Sequence, residues 1–211
     1  MIDYSLYVIT DRTIQGVLST ALMVEQAMEG GATVIQLRDK NATSRVFLEE
    51  ALIIRELTRK TGVSFIVNDR IDIALACGAD GVHLGEEDIP LSFARRIASG
   101  LILGYSVDSV EKAQEAERRG ASYLGVGTIF PTRTKMDAGN PIGTEMLRAI
   151  KRAVKIPVVA IGGISLSLVD EVIQAGADGV AVISAVVGAP SVVGAAREFR
   201  EKIRILRSNR P

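Results

Sequence analysis

Polar side chains recur just past the ends of short apolar runs, and their chemical types suit a phosphorylated substrate and a metal ion. The residues concerned are Arg38, Lys40, Asn68, Asp69, Asp88, Ser106, Thr132, Arg133, Thr134, Lys135, Gly163 and Ser184. If each apolar run is a buried parallel strand, these residues gather at one rim of one sheet. A rim with two acids, several cations, hydroxyls and glycines is typical of a phosphate-binding and metal-binding site.

The carboxylates of Asp69 and Asp88 form a candidate Mg²⁺ site. They follow the third and fourth apolar runs, so neighbouring loops can bring them together. Mg²⁺ takes oxygen ligands and often binds through one or two carboxylates plus substrate phosphates. Helix capping is the alternative, with Asp69 capping a helix that begins near Arg70 and Asp88 capping one that begins at Pro90. Spacing alone leaves both interpretations open.

Two cations, Arg38 and Lys40, end the second apolar run within the segment Gln36-Leu37-Arg38-Asp39-Lys40. Strand alternation places Gln36 and Arg38 on the same side of the sheet. Arginine offers a planar fork to phosphate oxygens, and lysine offers a point charge. The alternative is a solvated loop in which Asp39 is the local counter-ion.

Residues 130–143 form a long loop with two prolines and no apolar period. Loops of this length in a compact chain are often functional lids. Two hydroxyls and a lysine, from Thr132, Thr134 and Lys135, could close over an anion, although a plain exposed loop is the alternative.

Glycines and a serine follow the last two apolar runs, as Gly162-Gly163 and Ile183-Ser184. In many barrels these positions bind phosphate through backbone N–H groups near a helix N-terminus. A tight turn that merely needs glycine is the alternative.

The chain has one histidine, His83, and one cysteine, Cys77. His83 lies inside an apolar run, which favours a satisfied core histidine over a catalytic base. Cys77 is interpreted as a small buried thiol, and the few aromatic residues as core filler. A single cysteine permits no internal disulfide and fits a reducing, cytoplasmic setting.

Helical and strand patterns alternate along the chain. Strands are predicted over residues 5–9, 33–37, 64–67, 80–84, 101–104, 122–127, 157–161 and 178–183, and helices over 17–30, 43–60, 71–77, 90–98, 109–119, 144–153, 165–174 and 190–206. Eight units of roughly 26 residues favour a (β/α)8 TIM barrel as one domain over residues 1–211. An open doubly wound sheet is less favoured, because no Gly-rich turn follows the first strand.

A Gly-Ala dipeptide precedes the second, fourth, sixth and eighth predicted strands. The four copies are Gly31-Ala32, Gly78-Ala79, Gly120-Ala121 and Gly176-Ala177. A glycine there can close a helix in the left-handed conformation. The repeat predicts a structure built from paired units.

Composition limits the partners. The formal net charge is zero, which argues against nucleic acid, since backbone binding needs a basic face. No signal peptide is predicted, and no apolar run approaches the ~20 residues that span a bilayer. We therefore expect a cytoplasmic protein with small-molecule partners, for which a homo-oligomer is compatible with the sequence.

Taken in order, these segments resemble the thiamine-phosphate synthase family over nearly the whole chain. The matching segments are Tyr7–Asp11, Gln36–Lys40, Val67–Arg70, Ala79–Gly85 with Asp88, Gly104–Ser106, Gly125–Lys135, Ala160–Ile164 and Ala177–Ser184. The resemblance implies a (β/α)8 barrel that joins hydroxymethylpyrimidine diphosphate to a thiazole phosphate. The products would be thiamine phosphate and pyrophosphate.

The resemblance also implies residue roles. The pyrimidine diphosphate would be held by Gln36, Leu37, Arg38, Asp39, Lys40 and Asn68. Mg²⁺ would bind to Asp69 and Asp88, and the pyrophosphate would contact Ser106 and Lys135. The thiazole phosphate would be held by Thr132, Thr134, Gly163, Ile183 and Ser184, with Arg133 also expected to bind substrate. Arg38, Lys40, Ser106 and Lys135 are the expected catalytic residues.

Asp108 departs from the family pattern. Family members often have histidine there, and related barrels of the thiazole tautomerase type are expected to use it for proton transfer. Aspartate disfavours that isomerase alternative, and Asp69, Asp88 and the Thr132-x-Thr134-Lys135 segment favour the synthase. A non-catalytic barrel that binds a phosphorylated ligand is the third hypothesis.

Overall fold

Eight parallel strands close into a barrel in which each strand pairs with the next along the chain and β8 pairs with β1. The computed structural model describes residues 2–14, 16, 18–132, 134 and 140–208. The strands are β1 Leu6–Ile9, β2 Val34–Leu37, β3 Ser64–Asn68, β4 Gly81–Leu84, β5 Ile102–Val107, β6 Tyr123–Val126, β7 Val158–Ile161 and β8 Gly179–Val182. The predicted (β/α)8 barrel is confirmed.

Helices cover the outside of the barrel. They are α1 Thr20–Glu29, α2 Ser44–Thr61, α3 Ile71–Cys77, α4 Leu91–Ile97, α5 Val110–Arg118, α6 Gly143–Ala153, α7 Val169–Gln174, α8 Ser184–Val187 and α9 Val192–Ser208, with a 3₁₀ turn at Leu166–Leu168. No helix in the described ranges has the length and apolarity to cross a membrane. Where the sequence predicts one helix over 165–174, the structure has the 3₁₀ turn followed by α7.

Two departures from the predicted boundaries bear on the site. Strand β5 extends past residue 104 because Tyr105, Ser106 and Val107 continue the pairing with β6. Ser106 therefore lies on a strand rather than after one. The short helix α8 was not predicted, because its Ser-Ala-Val-Val sequence carries the β-branched residues typical of a strand.

The core divides into two layers by strand alternation. On β1, Leu6 and Val8 belong to the large cluster between strands and helices, whereas Tyr7 and Ile9 belong to the smaller cluster inside the barrel. Cys77 is buried, as predicted, and burial raises the pKa of its thiol. The cluster inside the barrel, here called the floor, lies beneath the polar residues at the carboxyl ends of the strands, here called the rim.

The Gly-Ala repeat marks a hydrogen-bonded clamp at the amino end of the barrel. In all four copies the glycine has a positive φ, as predicted. The side chain after each dipeptide accepts a hydrogen bond from an N–H at the start of the preceding strand. The four bonds are Leu6 N to Thr33 Oγ1 at 3.1 Å, Phe65 N to Asp80 Oδ2 at 2.8 Å, Leu103 N to Ser122 Oγ at 3.1 Å, and Val158 N to Asp178 Oδ2 at 2.7 Å. Strands are thereby tied in pairs, β1 to β2, β3 to β4, β5 to β6 and β7 to β8.

Candidate active site

The carboxyl ends of the strands surround a cavity of about 710 Å³. Its walls are formed largely by the polar and glycine residues that the sequence singled out. Those lining it are Arg38, Lys40, Asn68, Asp69, Asp88, Ser106, Thr132, Thr134, Gly163, Ile183 and Ser184. The structure thus brings residues from six strand ends and the loop after β6 to one opening. Arg133 and Lys135 lie outside the described residues.

Three residues of the segment 36–40 do not line this cavity. Gln36 is buried in the barrel interior, where Nε2 donates to Tyr7 Oη at 2.7 Å. Leu37 is buried in the layer between strands and helices, because alternation turns it away from Gln36. Asp39 organises its own loop by accepting the N–H groups of Asn41 and Ala42 at 2.9 and 3.0 Å.

Asp11 is a residue that sequence reasoning missed. It is buried, and its Oδ2 lies 3.7 Å from Nη1 of Arg38. Thr10 fixes the same arginine through the backbone, since Arg38 N donates to Thr10 Oγ1 at 2.9 Å. The first strand ends in Thr10-Asp11-Arg12, and an acid at a strand end was the available signal. These contacts hold the Arg38 guanidinium beside the cavity.

Asp69 and Asp88 lie together, and neither caps a helix. Helices α3 and α4 start without a side-chain cap, so the capping alternative is wrong. Asp69 has a φ of 62°, a conformation that is strained for a residue with a Cβ, and its N–H donates to His83 O at 2.9 Å. Asp88 Oδ2 accepts the Gly85 N–H at 2.7 Å. The strained backbone and the turn bond hold the two carboxylates in place.

The electrostatics of this pair are unusual. Burial, followed by the charge of Asp88 and a hydrogen bond to it, raises the pKa of Asp69 to about 6. Lys40 and Arg38 act in the opposite direction but do not cancel the rise. Two adjacent carboxylates resist being charged together, and a divalent cation relieves that repulsion.

His83 joins the buried interior to the cavity. Its Nδ1 lies 2.9 Å from Tyr123 Oη, and its Nε2 lies 2.9 Å from Ser106 Oγ. The imidazole also lines the cavity, so the interpretation as a core histidine is incomplete. Tyr123 Oη in turn lies 2.7 Å from Tyr7 Oη, and both tyrosines are buried.

The opposite wall is built from backbone. Gly163 has a φ of +64°, and a Cβ there would meet Phe130 O and Pro131 O at 2.6 Å. Only glycine lets the loop after β7 pack so closely on the loop after β6. The N-terminus of α8 lies beside it, where Ser184 Oγ is 3.0 Å from Thr134 Oγ1. This wall therefore offers hydroxyls and backbone donors.

Asp108 lies away from the cavity lining. Its carboxylate is half exposed and lies 3.3 Å from Lys112 Nζ, which also donates to Glu86 Oε2 at 2.8 Å. The residue that departs from the family pattern is thus part of a surface ion-pair cluster.

Comparisons with known proteins agree on one family. The thiamine monophosphate synthase family model matches residues 6–186. The chain is 50% identical over 205 residues to thiamine-phosphate synthase of Chloroflexus aurantiacus, covering 97% of this chain and 95% of that protein. It is 54% identical over 198 residues to the enzyme of the same name from Pyrococcus horikoshii, covering 94% of each.

Solved structures show the same likeness. Thiamine phosphate pyrophosphorylase from Pyrococcus furiosus superposes with a TM-score of 0.91 at 50% identity, covering 97% of this chain and 98% of that one. A 3-hexulose-6-phosphate synthase, at 21% identity and a TM-score of 0.69, covers 94% of this chain and 99% of its own and shares the fold.

Proposed function

The chain belongs to the thiamine monophosphate synthase family, and on that premise we propose that the cavity holds both substrates of the family's condensation. The protein is a transferase of thiamine biosynthesis. It joins hydroxymethylpyrimidine diphosphate to hydroxyethylthiazole phosphate, giving thiamine phosphate and pyrophosphate. The observation that carries the site proposal is the gathering of cations, carboxylates and hydroxyls from distant parts of the chain around one cavity.

The diphosphate of the pyrimidine substrate binds beside β2 and β3. Arg38 and Lys40 supply positive charge, and Asn68 supplies an uncharged hydrogen-bonding group next to them. The contact with Asp11 keeps the Arg38 guanidinium directed, so little side-chain entropy remains to be lost on binding. A planar guanidinium held in this way suits bidentate recognition of phosphate oxygens.

Asp69 and Asp88 fit a Mg²⁺ ion. The raised pKa of Asp69 indicates two adjacent oxygen donors whose repulsion a cation would relieve. Among the described residues no group of three or more His, Cys, Asp or Glu side chains could hold a metal. A two-carboxylate site suits Mg²⁺, which completes its coordination with water and substrate phosphates. Bound there, Mg²⁺ would neutralise charge on the pyrophosphate leaving group.

The condensation needs a departing anion to be stabilised more than it needs a nucleophilic side chain. The thiazole nitrogen attacks a benzylic-type carbon, and the electron-rich aminopyrimidine can stabilise a cation there, which favours a dissociative path. Arg38, Lys40 and the hydroxyl of Ser106 then stabilise the negative charge that grows on pyrophosphate. Lys135 is proposed for the same role. Holding both substrates in one cavity supplies the remaining advantage, because it makes the encounter intramolecular.

The thiazole phosphate binds at the opposite wall. Gly163 brings backbone close to the cavity, and Ser184 begins helix α8, whose first N–H groups have no intrahelical acceptor. The hydroxyls of Thr132 and Thr134 complete the set of donors, and Ile183 gives an apolar surface for the ring. This placement separates the two phosphate groups and leaves space for the new bond between them.

One assay tests the proposal. Purified protein is mixed with both substrates, with and without Mg²⁺, and pyrophosphate and thiamine phosphate are measured. We expect pyrophosphate only when both substrates and the metal are present, and a loss of at least about 100-fold in Asp69→Ala combined with Asp88→Ala. Asp72→Ala is the matched control, because that carboxylate is exposed and pairs with Arg70. Full activity of the double variant would remove the metal assignment.

A further inference from the structure

A series of hydrogen bonds crosses the barrel interior from Gln36 to Ser106. The Gln36 amide, at one end, sets the direction in which every other bond of the series donates. Gln36 presents its amide nitrogen, which can only donate, to Tyr7 Oη. Tyr7 has a single hydroxyl proton, so that proton goes to its other neighbour, Tyr123 Oη. Tyr123 in turn gives its proton to Nδ1 of His83. If the series ran the other way, from His83 to Tyr123 to Tyr7, the Tyr7 hydroxyl proton would point at the Gln36 amide nitrogen, which is also a donor. Two donors facing each other at a buried position leave a hydrogen bond unmade, which costs free energy.

This order determines the state of the imidazole. His83 accepts at Nδ1 and therefore carries its proton on Nε2 as a neutral ring. The Nε2–H group donates to Ser106 Oγ at 2.9 Å. The Ser106 hydroxyl proton must then find a different acceptor, and its side chain lines the cavity. An anionic oxygen in the cavity is the acceptor that fits.

Two glycines show that the backbone is shaped around these contacts. Gly104 on β5 pairs with His83 on one side and with Tyr123 on the other. A Cβ at Gly104 would lie 2.3 Å from Tyr123 Oη and 2.4 Å from His83 Nδ1. Gly125, the partner of Ser106, leaves room for the other edge of the ring, since a Cβ there would lie 2.9 Å from His83 Cε1.

We propose that Tyr7 and Tyr123 are positioning residues that hold His83 as the Nε2–H tautomer, so that Ser106 directs its hydroxyl proton toward an anionic oxygen in the cavity. The proposal rests on the proposed function only in identifying that oxygen as part of the leaving pyrophosphate. It gives the buried tyrosines a role in setting the direction of a donor, in addition to their packing inside the barrel.

The tautomer can be read directly in the wild-type protein. His83 is the only histidine among 211 residues, so a long-range ¹H–¹⁵N correlation spectrum of ¹⁵N-histidine-labelled protein contains one imidazole. We expect a protonated Nε2 and an unprotonated Nδ1 near neutral pH. A proton on Nδ1, or on both nitrogens, would overturn the proposal without reference to activity.

A pair of matched variants tests the role of Tyr123. Tyr123→Phe removes the donor to His83, and we expect a mixed tautomer signal and a kcat lowered about tenfold, with the KM values little changed. Tyr4→Phe makes the same chemical change in the same aromatic cluster, 4.8 Å away between ring centroids. That control should keep the Nε2–H signal and the wild-type kcat.

The outcomes separate this inference from the proposed function. Synthase activity combined with an unchanged tautomer and kcat in Tyr123→Phe would reject the role of the tyrosines alone. An Nε2–H ring in a protein that releases no pyrophosphate would reject the proposed function and leave the network intact. A poorly folded Tyr123→Phe variant would still leave the wild-type spectrum to decide.

Discussion

The carboxylate of Asp11 lies 3.7 Å from the guanidinium of Arg38, and only 9% and 12% of the two side chains are exposed. Asp11 comes from the end of β1 and Arg38 from the end of β2, so the contact joins two neighbouring strand ends. Shielding from water makes such a contact stronger than a surface ion pair. The orientation of Arg38, the cation proposed to bind the pyrimidine diphosphate, therefore depends on a residue outside the cavity lining.

Asp11→Asn should weaken binding of the pyrimidine diphosphate. The amide keeps the shape but loses the charge that directs Arg38, so we expect its KM to rise about tenfold with a smaller change in kcat. Steady-state kinetics with the thiazole phosphate saturating would measure this. Asp108→Asn is the control, since that carboxylate lies at the surface with Lys112, and equal effects of the two changes would contradict the role of Asp11.

Mg²⁺ should stabilise the fold more at pH 7.5 than at pH 5.5. The folded pKa of Asp69 is about 6, above its ordinary value of 3.8. A raised carboxyl pKa means that folding favours the protonated form, so this group's contribution to metal-free stability is lost as pH rises through about 6. Above that pH the Asp69 carboxylate is charged, and Mg²⁺ binds there without competing with a proton.

Thermal unfolding with and without Mg²⁺ at the two pH values tests this. We expect a rise of a few degrees in Tm at pH 7.5 and a smaller one at pH 5.5. Asp69→Asn should abolish most of the rise, whereas Asp72→Asn should leave it unchanged. The same metal-induced shift at both pH values would show that Asp69 does not titrate as described.

Gly163→Ala should damage both the proposed thiazole phosphate site and the stability of the fold. A Cβ would meet two backbone oxygens at 2.6 Å in a left-handed conformation, so we expect a loss of about 2 kcal/mol in unfolding free energy. The KM for thiazole phosphate should also rise, because the two loops must separate. Urea unfolding and kinetics measure the two effects. Gly100→Ala is the matched control, since its Cβ would enter open space.

Asp178→Ala should destabilise the barrel without changing its chemistry. The carboxylate accepts the Val158 N–H at 2.7 Å and the Lys151 ammonium at 2.6 Å. Their loss should cost about 2 kcal/mol in urea unfolding, with kcat and KM unchanged at a temperature where the variant is folded. Asp170→Ala, which removes a more exposed partner of Lys202, should cost no more than about 1 kcal/mol. Similar costs for the two variants would count against the clamp.

The strands were the most predictable part of the fold. Parallel strands buried on both faces give short runs of Val and Ile, and these runs located all eight. Helix α8 was missed because its four residues are too few for periodicity to show and include β-branched valines. Strand β5 was cut short because Ser106 interrupts the continuous apolar run by which the strands were located. In both cases tertiary pairing or packing, which a local pattern does not contain, decided the outcome.

The site was predictable in its rim and not in its floor. Residues such as Asp69 and Ser184 stand directly after apolar runs, so topology alone brings them together. Tyr7 and Tyr123 lie inside such runs, and the aromatic residues were interpreted as filler. Their polar role arises only because Gly104 allows side chains on β4 and β6 to meet, a relationship between three strands that no single segment reveals.

The four amino-end clamps imply where this chain can be opened. Each clamp is a hydrogen bond between an odd-numbered strand and the even-numbered strand after it. The barrel therefore consists of four strand pairs, here called quarters, and each quarter contains its own clamp. Gly62 and Gly100 lie between quarters, and a Cβ at either would enter open space. Circular permutants with new termini at these glycines keep both strands of every clamp in one continuous segment. New termini at Gly31 or Gly120 would separate the two strands of one clamp in sequence, β1 from β2 or β5 from β6. Such permutants should refold less readily.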